Sequence, residues 1–561
     1  MYNDETTKDI LLKGGYVAEE DMQKAEEYAK TNATPLVDYL LNKELITKDL
    51  LGQAIAESFG VPYADLNSNQ PPKEQVLKIP SDTGQKLRAV LFEEKNGEVV
   101  VTVDNPAALD LKAELDKIFA PKKVIIAYSL PEDIEEAFIH YRTTLETRFQ
   151  KIIESQKKIA PSIIDEIIAD ALLYRASDIH FEPREAEALI RFRIDGVLQE
   201  AGRVSREYYE NILNRIKVLS HLRIDEKSST QDGAMRYAPH TGPFGTPLRY
   251  AKGGNEADIR VSIAPTLDGE KIVFRLLAEY VRGFGLSDLG LSEEHQSMMA
   301  KAAKKPFGMI LVTGPTGSGK TTTLYALLKI LNTPKVNITT IEDPVEYKML
   351  GANQIQVNVD KNITFASGLR SIVRQDPNII LVGEIRDRET AEISINAALT
   401  GHLLLSTFHA NDAATSIPRL LDMGVQPFLL ASTLEVVVAE RLVRKICESC
   451  RVSREMPASE LKKQYPWAGD YIKDASATLY EGKGCNTCSH TGFKGRTGIF
   501  EFIEITSELQ KLILKNPSAQ EVWEVARREG ARSLFEDGMQ KVKNGITSLD
   551  ELMRVAEPPE K

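Results

Sequence analysis

Residues 314–321 read GPTGSGKT, and a segment of the form G-x-x-x-x-G-K-[ST] leaves a chain few folds to adopt. Gly314, Gly317 and Gly319, with Pro315, Thr316 and Ser318 between them, let the backbone turn its N–H groups inward around phosphate oxygens. Lys320 supplies a point charge to the β- and γ-phosphates. Thr321, followed by Thr322, offers a hydroxyl to Mg²⁺. A loop of this kind needs a buried strand before it and a helix after it. Residues 307–314, FGMILVTG, form an apolar run, and residues 322–332, TTLYALLKILN, have helical periodicity. The expectation is an α/β domain that binds ATP.

Acids and histidines downstream bear on that expectation. Residues 378–387, NIILVGEIRD, are an apolar strand ending in an acid, Glu384, where a Walker B strand would hold Mg²⁺. Taken alone, such a run is as readily a plain buried strand. Residues 339–347, TTIEDPVEY, group Glu342, Asp343 and Glu346 at the end of another apolar stretch. They form either a solvated acidic loop or a set of carboxylates that orients the attacking water or the metal. In residues 400–412, TGHLLLSTFHAND, His402 and His409 flank an apolar strand. A lone histidine is more often structural; this pair beside the P-loop strand suggests a sensor of the γ-phosphate.

All four cysteines fall in two Cys-x-x-Cys pairs, Cys447/Cys450 and Cys485/Cys488, separated by 34 residues. Four thiolates so arranged fit a closed tetrahedral zinc at the base of an inserted subdomain; the alternative is four free thiols, with His490 a bystander. So few cysteines exclude a disulfide scaffold and point to a reducing cytoplasm. The net charge of -11 argues against a large nucleic-acid surface, so no nucleic acid is expected. The N-terminus, MYNDETTKD, does not read as a signal peptide, and no apolar run approaches the roughly 18 residues of a membrane span. Any membrane role is expected to be peripheral, on the cytoplasmic face.

With 561 residues the chain should divide into three or four domains. Its start carries an internal repeat at a spacing of 29, in which Leu11, Leu12, Tyr16, Val17 and Met22 match Leu40, Leu41, Leu45, Ile46 and Leu51. Strands are predicted over 99–104 and 123–128 around a helix at 107–118, giving a helical-then-α/β domain over 1–142. A charged linker, 143–160, leads to a second α/β domain over 161–280, with strands at 188–195, 257–264 and 271–277. Within it, 239–254 is a Gly/Pro-rich loop to which no role is assigned. A glycine-rich hinge at 281–290 opens onto the last domain, 291–561, with the cysteine insertion at about 440–495.

The P-loop, the acidic segment, GEIRD and the histidine segment, in this order, resemble the type IV pilus and type II secretion ATPase family. SDIHFEP (177–183), RFRIDG (191–196), DIRVS (258–262), GEK (269–271) and LRSIVRQDP (369–377) extend the likeness over most of the chain. The resemblance implies a RecA-like ATPase core with the zinc insertion, preceded by a PAS-like domain and the N-terminal helical and α/β domain. It implies Glu342 as general base, Glu384 as Walker B acid, and Arg260 and Arg275 closing on the phosphates. Arg370, Arg374 and Arg386 match further site or interface arginines. A homo-hexamer acting on an inner-membrane platform protein and cytoplasmic ring proteins is likewise implied. The insertion and the N-terminal repeat favour assembly over retraction, and the N-terminal domain favours the pilus branch over type II secretion. Related repeats bind cyclic di-GMP through a Leu-Gly pair and a preceding arginine. Here Thr7/Lys8 and Leu36/Val37 stand at those positions, with Pro35 in place of the arginine. The scaffold is kept without the ligand residues, so docking to a partner is expected rather than dinucleotide binding.

Overall fold

The computed structural model describes residues 4–32, 36–43, 45–95, 97–141, 145–154, 159–237, 257–278, 285–467, 471, 475–485, 488 and 490–558. The loop at 239–254, hinge positions 281–284 and Pro35 lie outside these residues. Contacts group the chain into two compact units, Met1–Lys24 with Ile46–Gly283, and Ala25–Leu45 with Phe284–Lys561.

The repeat folds as two helix–turn–helix pairs, Asp4–Lys13 with Glu19–Asn32 and Leu36–Asn42 with Lys48–Phe59. Matched positions carry matched burial: Leu11 and Leu40 are both fully buried, as are Met22 and Leu51 nearly so. The first helix of each pair ends alike, with Tyr16 N–H donating to the Leu11 carbonyl and Leu45 N–H to that of Leu40. Beyond the repeat, strands β1 (Ala89–Lys95), β2 (Glu98–Val103) and β3 (Lys123–Tyr128) make a small sheet covered by helix Leu111–Phe119.

The unit that includes Ile46–Gly283 also contains a six-stranded antiparallel sheet, ordered β6-β5-β4-β9-β8-β7. Its strands are β4 (Asp178–Pro183), β5 (Glu187–Ile194), β6 (Val197–Ser205), β7 (Gln231–Tyr237), β8 (Ala257–Thr266) and β9 (Gly269–Ala278). Alternation in β8 buries Ile259, Val261 and Ile263. They join a core with Ile163, Ile167, Tyr209 and Ile212 of helices Ile159–Leu173 and Arg206–Leu219. Period-two side chains leave Arg260 on the sheet's other face.

In the second unit a seven-stranded sheet runs β12-β11-β13-β14-β10-β15-β18. Its strands are β10 (Gly308–Thr313), β11 (Ile338–Glu342), β12 (Ala352–Gln356), β13 (Ile379–Val382), β14 (Leu403–Phe408), β15 (Leu434–Ile446) and β18 (Phe493–Glu504). All neighbours are parallel except β15 and β18. Both faces are covered, so β10, β11, β13 and β14 are buried along their whole lengths rather than alternating. Between β15 and β18 the chain leaves as a hairpin of β16 (Arg451–Pro457) and β17 (Ser476–Gly482). No described helix is long and apolar enough to cross a membrane.

Candidate nucleotide site

Strand β10 ends at Thr313, and the next six residues make the turn into helix Lys320–Leu331. The turn needs glycine: Gly314, Gly317 and Gly319 have φ of 147°, 78° and 109°, a region that L side chains rarely adopt. Pro315, Thr316 and Gly317 form the exposed tip, while Ser318 and Lys320 are buried. Lys320 Nζ folds back to the carbonyls of Gly314 and Pro315, at 2.9 and 3.0 Å. Burial lowers its pKa, opposed by Glu440 and Glu384. Ser318 Oγ is buried without a hydrogen-bond partner. An orphaned hydroxyl, a lysine resting on backbone carbonyls and a helix N-terminus all fit an incoming polyphosphate.

The neighbouring strands deliver the carboxylates. Glu384 lies two residues beyond β13 and is 9% exposed. Its Oε1 meets Arg386 Nη2 at 2.5 Å and its Oε2 meets His409 Nε2 at 3.0 Å. Arg386 also approaches Asp343 Oδ2 at 3.9 Å. Thr313 Oγ1 fastens this side of the loop, accepting from Ala410 N–H and donating to the Ala410 carbonyl. Glu342, the last residue of β11, is turned inward and buried. It accepts from Tyr325 Oη and from Thr340 Oγ1. Gln354 Nε2 stands 3.4 Å away. Burial raises its pKa against these donors.

The histidines part company. Strand β14 pairs in register with β10, Gly308 with Leu403 and Thr313 with Phe408. His409 therefore lies at the P-loop end of the sheet, and His402 at the opposite end, where its Nδ1 contacts the Ala397 carbonyl at 2.8 Å. Thus the pair does not converge on one phosphate, and the placement corrects the two-histidine sensor expected from the sequence: an apolar run shows that two residues flank a strand, but not which end faces the loop. Arg370 pairs with Glu389 on the outer side of helix Phe365–Ile372, and Arg374 is exposed on the following turn.

Arg260 and Arg275 are directly opposite each other on β8 and β9. Arg275 is in turn opposite Asp178, and Asp178 opposite Arg193. Directly opposite residues share a face, so these four make one row across the antiparallel sheet. Asp178 accepts from Arg275 Nε at 3.1 Å and lies 3.6 Å from Arg193. One carboxylate among three guanidiniums leaves the row cationic, which suits an anion. Arg193 was legible only as part of RFRIDG; nothing in the sequence placed it beside Arg275. Two other motif acids are structural partners: Glu182 pairs with Arg191 and Lys271, and Glu270 with the buried Lys217.

Cys447 and Cys450 close β15, and Cys485 and Cys488 precede β18. Their Sγ atoms all lie within 4.8 Å of one another. Separations of 3.8, 3.9 and 3.8 Å are given by Cys447/Cys485, Cys450/Cys488 and Cys485/Cys488. A tetrahedron with zinc–sulfur bonds of about 2.3 Å has edges of roughly 3.8 Å, so the thiols fit zinc as they stand. Burial and the neighbouring thiols push the Cys447 thiol up.

A glycine loop that strains to open its N–H groups, with a buried lysine and a carboxylate at the next strand ends, answers to a nucleoside triphosphate. The class is a P-loop ATPase. Residues 153–554 match the family described as Type II/IV secretion system protein, and residues 59–147 match the MshEN domain. The type IV pilus assembly ATPase PilB of Acinetobacter baylyi is 36% identical over 97% of this chain and 95% of its own length. Type II secretion system protein E of Pseudomonas aeruginosa is 44% identical over 71% of this chain and 76% of its own. The X-ray structure of the Legionella pneumophila ATPase DotB shares the fold, with a TM-score of 0.50 at 20% identity over 70% of this chain and 95% of that one. The chain belongs to the type II/IV secretion system ATPase family.

Proposed function

We propose that this chain hydrolyses ATP as the motor of type IV pilus assembly. The supporting observation is the extent of the likeness: similarity to a pilus assembly ATPase runs through 97% of the chain, whereas the type II secretion relative aligns over 71%. Its higher identity in the core, 44%, favours type II secretion as the second reading.

In this reading Lys320 gives up the Gly314 and Pro315 carbonyls for phosphate oxygens, and Ser318 finds its missing partner there. Thr321 and Glu384 would hold Mg²⁺, which neutralises charge on the phosphates. Glu342 is the general base; a carboxyl whose pKa is raised by burial is the better proton acceptor. His409 and Arg386, both on Glu384, report the γ-phosphate. Arg260 and Arg275 supply guanidinium groups that can bind phosphate oxygens bidentately. Arg370 and Arg374 serve an interface of a homo-hexamer, which acts on a platform protein of the inner membrane from the cytoplasmic side. The four cysteines would hold a zinc that closes the base of the hairpin.

Deleting the gene and restoring it as wild type or Lys320→Ala tests the reading in cells. Loss of surface pili, restored by wild type alone, is the expected result. Intact pili with blocked protein secretion would favour the second reading, and pili that extend but do not retract would contradict both.

A further inference from the structure

Behind the phosphate-binding loop lies a carboxyl that the catalytic reading does not use. Ala439 of β15 is the register partner of Thr313, so Glu440 stands level with Gly314. It is 1% exposed. Its Oε2 accepts from Thr323 Oγ1 at 2.7 Å, in the first turn of the P-loop helix. A Cβ on Gly314 would stand 2.5 Å from the Glu440 carbonyl, and a Cβ on Gly319 would overlap its Oε1. The loop therefore rests on Glu440 at both of its ends.

Little around Glu440 answers its charge. Across the ladder on β18 it faces Phe500, and β10 brings Thr313 and Gly314 to its level. The charged group that bears on it is Lys320, from the P-loop helix. Burial outweighs Lys320 and the Thr323 hydroxyl and pushes Glu440 up to about 8.

We propose that Glu440 is a positioning residue of the nucleotide site, which seats the loop at Gly314 and Gly319 and governs whether Lys320 is free for phosphate. The inference rests on the ATPase reading above. Ionised, the same side chain would hold Lys320 back and place a negative charge behind the bound phosphates. Nucleotide and proton are then linked, each strengthening the hold on the other.

The test is calorimetric titration of the full-length protein with Mg²⁺ and AMPPNP between pH 7 and 9. For wild type the dissociation constant should rise about tenfold over that range, the ratio expected when binding requires a proton on a group titrating near 8. Glu440→Gln keeps the shape and an acceptor for Thr323 but cannot ionise, so its affinity should stay level. Thr323→Val removes the donor that favours the carboxylate, so its rise should move to higher pH. Alkaline weakening in Glu440→Gln equal to that of wild type would overturn the role of Glu440. Lys320→Ala separates the two claims: if it binds AMPPNP as wild type does, the ATP site itself is misplaced, whereas a failure confined to Glu440→Gln leaves that site standing.

Discussion

His402 and His409 look equivalent in the sequence, yet six buried residues of β14 separate them. At a rise of about 3.3 Å per residue the strand holds the two roughly 20 Å apart. Replacing His409 by Ala should lower turnover about tenfold or more through loss of a contact to Glu384, while His402→Ala should stay within about twofold. Phosphate release at saturating ATP reads both, and equal losses would contradict the assignment. A second residue-scale expectation concerns Glu501, which is buried on β18 and accepts from Ala413 N–H at 2.8 Å. Burial lifts its pKa from 4.5 to about 7. The folded state therefore binds the proton more tightly than the unfolded chain. That stability is fully present below pH 4.5 and is lost as pH rises through about 7. The loss is on the order of 3 kcal/mol. Glu501→Gln should flatten the fall of the thermal midpoint between pH 5 and 8; curves that remain parallel to wild type would exclude it. Lys320 was legible because its motif is local. Glu440 and Tyr325 were not, because the partners that give them meaning lie at distant positions in the chain.

Elements were read best where a local period dictates them. The helical repeat at a spacing of 29 survives in the structure as matched burial at Leu11 and Leu40, Val17 and Ile46, and Met22 and Leu51. Strand β3 was predicted at its observed limits, since its apolar run has sharp polar ends. Two motif acids proved to have a plainer use: Asp387 and Asp412 cap helices Arg388–Leu399 and Ala413–Asp422, accepting from Thr390 and Thr415. A cap and a catalytic acid look the same in a sequence. The arginine row was hidden for a different reason, since cross-strand register is not written in any one strand. The cysteine pairs announced themselves by spacing, and the structure adds that they join the ends of β15 and β18 beneath the hairpin. Purified protein should contain about one zinc per chain by elemental analysis. Cys485→Ser should lower the unfolding temperature more than it lowers affinity for AMPPNP, because structural zinc sites contribute on the order of 10 kcal/mol to small folds. Metal-free protein of undiminished stability would refute the site.

Across the whole molecule, the groups that the proposed reaction needs are divided: Lys320, Glu342 and Glu384 belong to one compact unit, Arg260 and Arg275 to the other. If Arg260 and Arg275 act on nucleotide held at Lys320, turnover requires one unit to be brought to the other, and a closed ring is the simplest device that would do so repeatedly. Arg260→Ala should accordingly reduce kcat about a hundredfold while changing nucleotide affinity far less, the pattern of a group that acts mainly in the transition state. A ring-forming ATPase motor is read out by specific ATPase activity against protein concentration, with mass followed by light scattering in the same samples. Activity per chain should climb as monomers give way to a single closed assembly of about six chains and then level off. Full activity in a strictly monomeric sample, independent of concentration, would contradict it.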